Sequence, residues 1–153
     1  MPVKKLKEHL DNEKIKYVIL SHSPAFTAME VAESAHVPGR VLAKSVMVKL
    51  DGRMAMAVLP STHKVDLNLL RESAGAEEAK LATEEEFKRL FPDCETGAMP
   101  PFGNLYGMDV YVSPSLADDD QIAFNAGTHT EVMWLAYRDF ERLVKPRAVR
   151  MTD

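Results

Sequence analysis

Apolar residues recur along this chain at spacings that separate helices from strands. Val3, Leu6 and Leu10 fall three and four apart, with lysines and acids between them. That period predicts a short amphipathic helix over residues 3–12. Tyr17-Val18-Ile19-Leu20 is a short continuous apolar run and predicts a strand, followed by a turn over residues 21–24. Thr27 precedes Glu30 by three positions, the spacing of a capping box. A helix therefore starts there and ends near Ala35, stopped by Val37-Pro38-Gly39. Residues 43–50 form the clearest strand. Asp51-Gly52 is a two-residue hairpin signal, and residues 53–59 return as the partner strand.

The second half breaks into shorter pieces. Residues 67–72 predict a helix capped by Asp66 and closed by Gly75. Thr83-Glu84-Glu85-Glu86 is a second capping box, opening a helix that reaches Phe91 and stops at Pro92. Residues 93–107 form a long loop rich in proline and glycine. Loops of that length in a small domain tend to carry function or to be disordered. Strands are expected over residues 109–112, 121–124 and 131–136. A final helix over residues 138–144 turns Phe140 and Leu143 to the core. Short strands interrupted by helices predict a mixed α+β fold around a strongly curved sheet or partial barrel.

Length and composition narrow the function classes. The 153 residues suit one domain spanning the whole chain, 1–153. No apolar run approaches the roughly 20 residues that cross a bilayer, and the start has no signal-peptide block. A cytoplasmic protein without a membrane partner is expected. Cys94 is the single cysteine, which excludes an internal disulfide and a multi-cysteine zinc site. The net charge of −4 means that any nucleic acid must be held by a local basic patch. Candidates are Lys4, Lys5 and Lys7, or Arg142, Lys145, Arg147 and Arg150. Either set is also what a solvated face would carry.

Three places could carry chemistry. Strand alternation puts Lys44 on a face with Val46, Val48 and Leu50, and Ala43, Ser45, Met47 and Lys49 on the other. A lysine aligned with aliphatics is paired, serves a ligand, or snorkels from the strand end. The loop Gly97-Ala98-Met99-Pro100-Pro101-Phe102-Gly103 could offer backbone N–H groups to a carbonyl, carboxylate or phosphate, or be a surface turn. Asn125-Ala126-Gly127-Thr128-His129-Thr130 is a polar cluster that a hairpin turn would equally explain. None of the five histidines stands in metal-ligand spacing. Cys94 with His129 as base has no local support, and no P-loop, GxGxxG or GxSxG motif occurs.

Taken together and in order, four pieces resemble the YbaK/EbsC/ProX family of tRNA-editing proteins. They are Thr27-Ala28-Met29-Glu30-Val31-Ala32, then Ala43-Lys44-Ser45-Val46-Met47-Val48, then Gly97 to Pro101 as a GxxxP pattern. Phe124-Asn125-Ala126-Gly127-Thr128-His129, leading into Tyr137-Arg138-Asp139-Phe140, is the fourth. The resemblance covers roughly residues 17–146. It implies a barrel-like α/β domain that hydrolyses tRNA mischarged with a small amino acid, often tRNA for proline. It implies that Lys44 is the essential lysine and that Gly97 and Pro101 end the GxxxP loop. No metal or organic cofactor is implied, and a ribose hydroxyl of the terminal adenosine helps activate water.

An aminoacyl ester is already activated, so no strong protein nucleophile is required. Backbone N–H groups of Gly97, Ala98 and Met99 are placed to meet the developing oxyanion. Phe26, Thr27, Met47, Met99, Phe102 and Thr128 are candidates for the wall that excludes the correct amino acid, with Asn125, Gly127 and His129 beside them. Alternation sets Met47 opposite Lys44. The partners implied are the 3′-terminal aminoacyl-adenosine of tRNA and an aminoacyl-tRNA synthetase. The alternative is a non-enzymatic aminoacyl- or nucleotide-binding module that partners such a synthetase.

Overall fold

A computed structural model describes residues 3–25 and 27–152. In chain order the elements are α1 (Lys4–Asn12), β1 (Tyr17–Ser21), α2 (Ala28–Ala35), β2 (Leu42–Leu50), β3 (Arg53–Pro60) and α3 (Leu67–Ala74). There follow β4 (Ala79–Leu81), α4 (Glu84–Phe87), β5 (Asp109–Val112), β6 (Gln121–Asn125), β7 (Glu131–Ala136), α5 (Tyr137–Val144) and β8 (Arg147–Ala148). Short 3-10 turns fill residues 88–90, 103–106 and 114–118.

Local chemistry sets most of these boundaries. Thr27 accepts from the Glu30 N–H at 3.1 Å, and the Glu30 carboxylate accepts from the Thr27 N–H. Thr83 and Glu86 repeat that reciprocal pair. Asp66 caps α3 by accepting from the Leu69 N–H, and Gly75 ends it in the left-handed region. Asp51 and Gly52 both have positive φ, 52° and 80°, the geometry of a type I′ hairpin. Asp51 does more than turn the chain. Its carboxylate accepts from the N–H groups of Glu77 and Glu78, which holds the approach to β4 against the hairpin.

The strands form one mixed sheet in the order β1-β7-β6-β2-β3-β5-β8, with β4 attached to β2. The expected partial barrel stays open, since β1 and β8 stand at opposite ends of that order. The β2–β3 hairpin is antiparallel over its whole length, whereas β2 pairs with β6 in parallel only at Leu42↔Ala123 and Ala43↔Phe124. β4 joins β2 farther along, from Val48 to Leu50. Between Ala43 and Val48, one side of β2 is therefore left by β6 and not yet taken by β4.

Each face of the sheet has its own apolar cover. The inner face carries the main core, built from Leu6 and Leu10 of α1, Phe140 and Val144 of α5, and Met47, Phe124 and Met133 of the sheet. The outer face carries two separate clusters. One joins Val31 of α2 to Leu42, Ala123 and Val132; the other joins Leu70 of α3 to Val48, Ala57 and Leu59.

Gly127 fixes the turn between β6 and β7 against the chain start. Its φ is +97°, and a Cβ there would lie 2.0 Å from Val3 Cγ2 and 3.2 Å from Val3 Cβ. Val3 cannot retreat easily, since valine is stiff at χ1 and the Val3 N–H donates to Ala126 O at 2.9 Å. Gly127→Ala combines a left-handed alanine with overpacking and should cost about 2 kcal/mol or more. Urea unfolding of the two proteins measures this.

Candidate functional site

The outer face of β2 places Lys44 between the two apolar clusters. Leu42 belongs to the cluster under α2, while Val46, Val48 and Leu50 pack with the cluster under α3. Lys44 has the same parity as these residues and lies directly across from the fully buried Leu59. Its side chain is half-buried in the gap between two helix footprints. No described residue forms a hydrogen bond or ion pair with it. Burial first, and the Lys64 ammonium second, hold its pKa below the ordinary lysine value. A partly desolvated cation facing a second cation is a poor structural choice and a good seat for an anion or carbonyl oxygen.

Two further polar groups lie where β2 parts from β6. Beyond Ala43↔Phe124 the next residues are Lys44 and Asn125, which alternation puts on the same outer face. Ser45 points to the inner side. Ser45 Oγ and Asn125 Oδ1 are both buried, and among the described residues neither has a hydrogen-bond partner. Buried polar atoms are rarely left unsatisfied, so two at one strand junction mark a place that a ligand can complete.

A clamp of three loops holds the turn that follows Asn125. Glu95 is its centre. The Glu95 N–H donates to Gly127 O at 2.8 Å, and its carboxylate accepts from the His129 N–H at 2.9 Å. The Gly127 N–H donates to Ala98 O at 3.0 Å. His129 Nε2 lies 2.9 Å from Thr96 O; a carbonyl only accepts, so Nε2 carries the proton. The segment after β1 joins through His22 N–H to Thr130 O and Ala25 N–H to His129 O. Thr128 Oγ1 donates to the Glu131 carboxylate at 3.1 Å. The GxxxP loop is thus bound to the Asn125–Thr130 turn rather than free in solvent.

That clamp alters the expected use of the loop amides. The Ala98 N–H is taken by Glu95 O, and the Gly97 N–H points at the Met99 thioether, 3.3 Å away. Among the described residues, no protein acceptor meets the Met99 N–H. Gly97 is exposed with φ +89°, whereas Ala98, Met99 and Pro101 are buried.

Several expected wall residues are core residues instead. Phe102 is fully buried against Phe124 and Phe140, with ring centroids 5.6 and 5.8 Å away. Met47 and Met99 are buried in the same inner core, so Met47 does lie opposite Lys44. These three offer little surface to a substrate from where they stand. Thr27 is exposed at the start of α2, and Thr128 and His129 are half-buried in the clamp. Phe26 lies outside the described residues. Glu95 escaped the sequence reading; a lone exposed-type acid in a loop gives no signal of its tertiary partners.

A family model for the aminoacyl-tRNA editing domain matches residues 22–143. The chain belongs to that family. It is 28% identical over 148 residues to the multifunctional Ser/Thr-tRNA deacylase ProXp-y of Escherichia coli strain K12, covering 92% of this chain and 86% of that one. It is 25% identical over 142 residues to the prolyl-tRNA editing protein ProX of Acetoanaerobium sticklandii, covering 89% and 86%. A solved structure described as a candidate trans-editing enzyme for prolyl tRNA synthetase superposes with a TM-score of 0.82 at 18% identity, over 99% of this chain and 96% of that one. That last likeness concerns the fold.

In this editing domain Cys94 is poorly placed for nucleophilic work. Its thiol contacts Tyr106 Oη at 3.6 Å and Asp93, and burial is the main cause that pushes its pKa up to about 11. The thiol form is a weak nucleophile near neutral pH. Among the described residues no three His, Cys, Asp or Glu side chains group closely enough to hold a metal ion, and no helix is long and apolar enough to cross a membrane.

Lys44 also makes a stability prediction with a definite sign. Its folded pKa lies below the ordinary 10.5, so the unfolded chain binds more protons between the two values. Stability should rise with pH across that window. Below the folded pKa the buried charge is a standing cost. Lys44→Met should therefore fold at least as stably as wild type at neutral pH, with the difference shrinking as pH approaches 10.5. Urea midpoints at neutral and high pH read this out, and a clear loss of stability at neutral pH would show that Lys44 is a structural lysine.

Proposed function

We propose that this protein hydrolyses the ester of mischarged aminoacyl-tRNA, with a small amino acid as the group removed and tRNA for proline as the leading carrier. The observation that carries this reading is Lys44: a half-buried ammonium with no counterion among the described residues, set at the parting of β2 and β6 on the same face as Asn125. Membership in the editing family supports it, as do the names of the two relatives. The work is cytoplasmic and the natural protein partner is a prolyl-tRNA synthetase.

The reaction needs little from the protein. Water attacks the ester carbonyl, the carbonyl oxygen takes the negative charge, and the bond to the ribose oxygen breaks. The amino acid leaves as its carboxylate, and the ribose hydroxyl is restored. Lys44 holds the ester or the terminal phosphate by charge and fixes the attack geometry. Of the Gly97, Ala98 and Met99 amides, the Met99 N–H is the one with no acceptor among the described residues and would meet the oxyanion; one such donor is worth about 3 kcal/mol. Asn125 Oδ1 accepts from the substrate ammonium or a ribose hydroxyl. A ribose hydroxyl of the terminal adenosine helps to activate the water, which accords with the Cys94 thiol being tied to Tyr106 and Asp93. The hydroxyls of serine or threonine substrates would find acceptors at Asn125 and Thr128.

A panel of tRNAs mischarged with Ala, Cys, Ser, Thr and Pro tests the reading by loss of the aminoacyl group. One or two small amino acids should be released quickly. Lys44→Ala should slow release by about a hundredfold or more, and Cys94→Ser should leave it unchanged. Release of none of the five by folded wild-type protein would overturn the proposal.

A further inference from the structure

The chain carries a second surface that the ester chemistry does not use. A groove of about 630 Å³ runs along the β1 edge of the sheet, lined by outer-face residues of β1 and β7 and by the start of α5, which packs on the inner face. Its walls include Lys14, Lys16, Arg138 and Arg142, with one acid, Asp139, which is 3.5 Å from Arg142. Its floor is Trp134, half-buried, with Val18 57% and Leu20 37% exposed. Both values leave strand aliphatics of one edge open to solvent. The cations come from two segments more than a hundred residues apart, which the β1–β7 pairing brings together.

We infer that this groove seats the phosphate backbone of the tRNA acceptor end, and so forms the RNA-docking surface of the site around Lys44. The inference rests on the deacylase reading for the identity of the RNA. Charge argues for it first. The protein as a whole has net charge −4, yet the groove places four cations against one acid. Phosphate is repelled by most of the surface and attracted here. The floor argues next: an indole with aliphatic neighbours accepts a base or ribose face.

Position is the third argument. Val18, Leu20 and Trp134 share the outer face with Asn125 and Lys44, by the register of β1, β7, β6 and β2. Three strand spacings separate β1 from β2, roughly 14 Å. α2 stands on the sheet between them, over Ala123 and Val132. An RNA end whose terminal ester reaches Lys44 would pass α2 and bring its backbone over the groove. The docking surface is thus neither of the two basic runs along the chain, although Arg142 belongs to one of them.

The test uses the full chain with Lys14, Lys16, Arg138 and Arg142 all changed to Ala, checked for folding by circular dichroism. Two substrates are compared: mischarged tRNA and the corresponding aminoacyl-adenosine, which has no acceptor stem. Binding of uncharged tRNA is measured alongside over a salt series. The expected result is at least about a tenfold rise in KM for the tRNA ester and a salt slope shallower by about three. Hydrolysis of aminoacyl-adenosine should be unchanged. Unaltered tRNA binding and salt slope would overturn the inference, as would an equal loss on both esters. Loss of retention on immobilised prolyl-tRNA synthetase, with tRNA binding intact, would also overturn it in favour of a protein partner. If wild type hydrolyses neither ester, the deacylase reading fails, while the tRNA-binding series still judges the groove.

Discussion

The structure turns on how β2 is shared. One strand supports three pairings, to β3 along its length, to β6 at its start and to β4 at its end. Two of those partners use the same side of the strand and do not meet. The interval between them, from Lys44 to Val46, is where the strand pairing lapses; at Met47 the Ala82 N–H already donates to the backbone carbonyl. Such a lapse is costly in a sheet, since each unpaired polar group must find water or a partner. The clamp of loops around Glu95 holds the turn that follows Asn125, and the separation of the two outer helices leaves the outer side of the interval open.

That arrangement leaves few polar groups at the junction. Lys44 stands between two helix footprints on the sheet, and no described residue pairs with it. A counterion would have stabilised the fold and blunted the site. The same trade recurs at Ser45 and Asn125, whose buried oxygens have no partner among the described residues. Natural folds break local rules mainly where function needs it, and here three breaks fall at one strand junction.

Much of the frame was legible in the sequence because it is set locally. Both capping boxes, the Asp66 cap, the Asp51-Gly52 hairpin and the alternation that isolates Lys44 depend on residues within a few positions of each other. β4 and β8, three and two residues long, carry too little pattern to be seen, and they exist because longer strands offer an edge. The amide pattern of the GxxxP loop was not legible either. Glycines advertise available N–H groups, but the fold spends the Ala98 N–H on Glu95. Phe102 neighbours the motif in sequence, but its burial against Phe124 and Phe140 depends on residues far along the chain.

Charge shows the same limit from the other direction. A contiguous basic run is visible in a sequence, yet contiguity on a helix spreads charges around it and does not concentrate them. Lys14 and Lys16 flank the entry to one edge strand, while Arg138 and Arg142 lie one helical turn apart on α5. Neither pair is notable alone. Antiparallel pairing of β1 with β7, which runs directly into α5, is what brings all four to one groove that also holds Trp134. An acidic protein can therefore hold a polyanion without a basic composition, provided its topology gathers a few cations on the face where the chemistry opens. The condition is geometric, and it ties the sheet order that creates the Lys44 junction to the surface that would deliver a substrate to it.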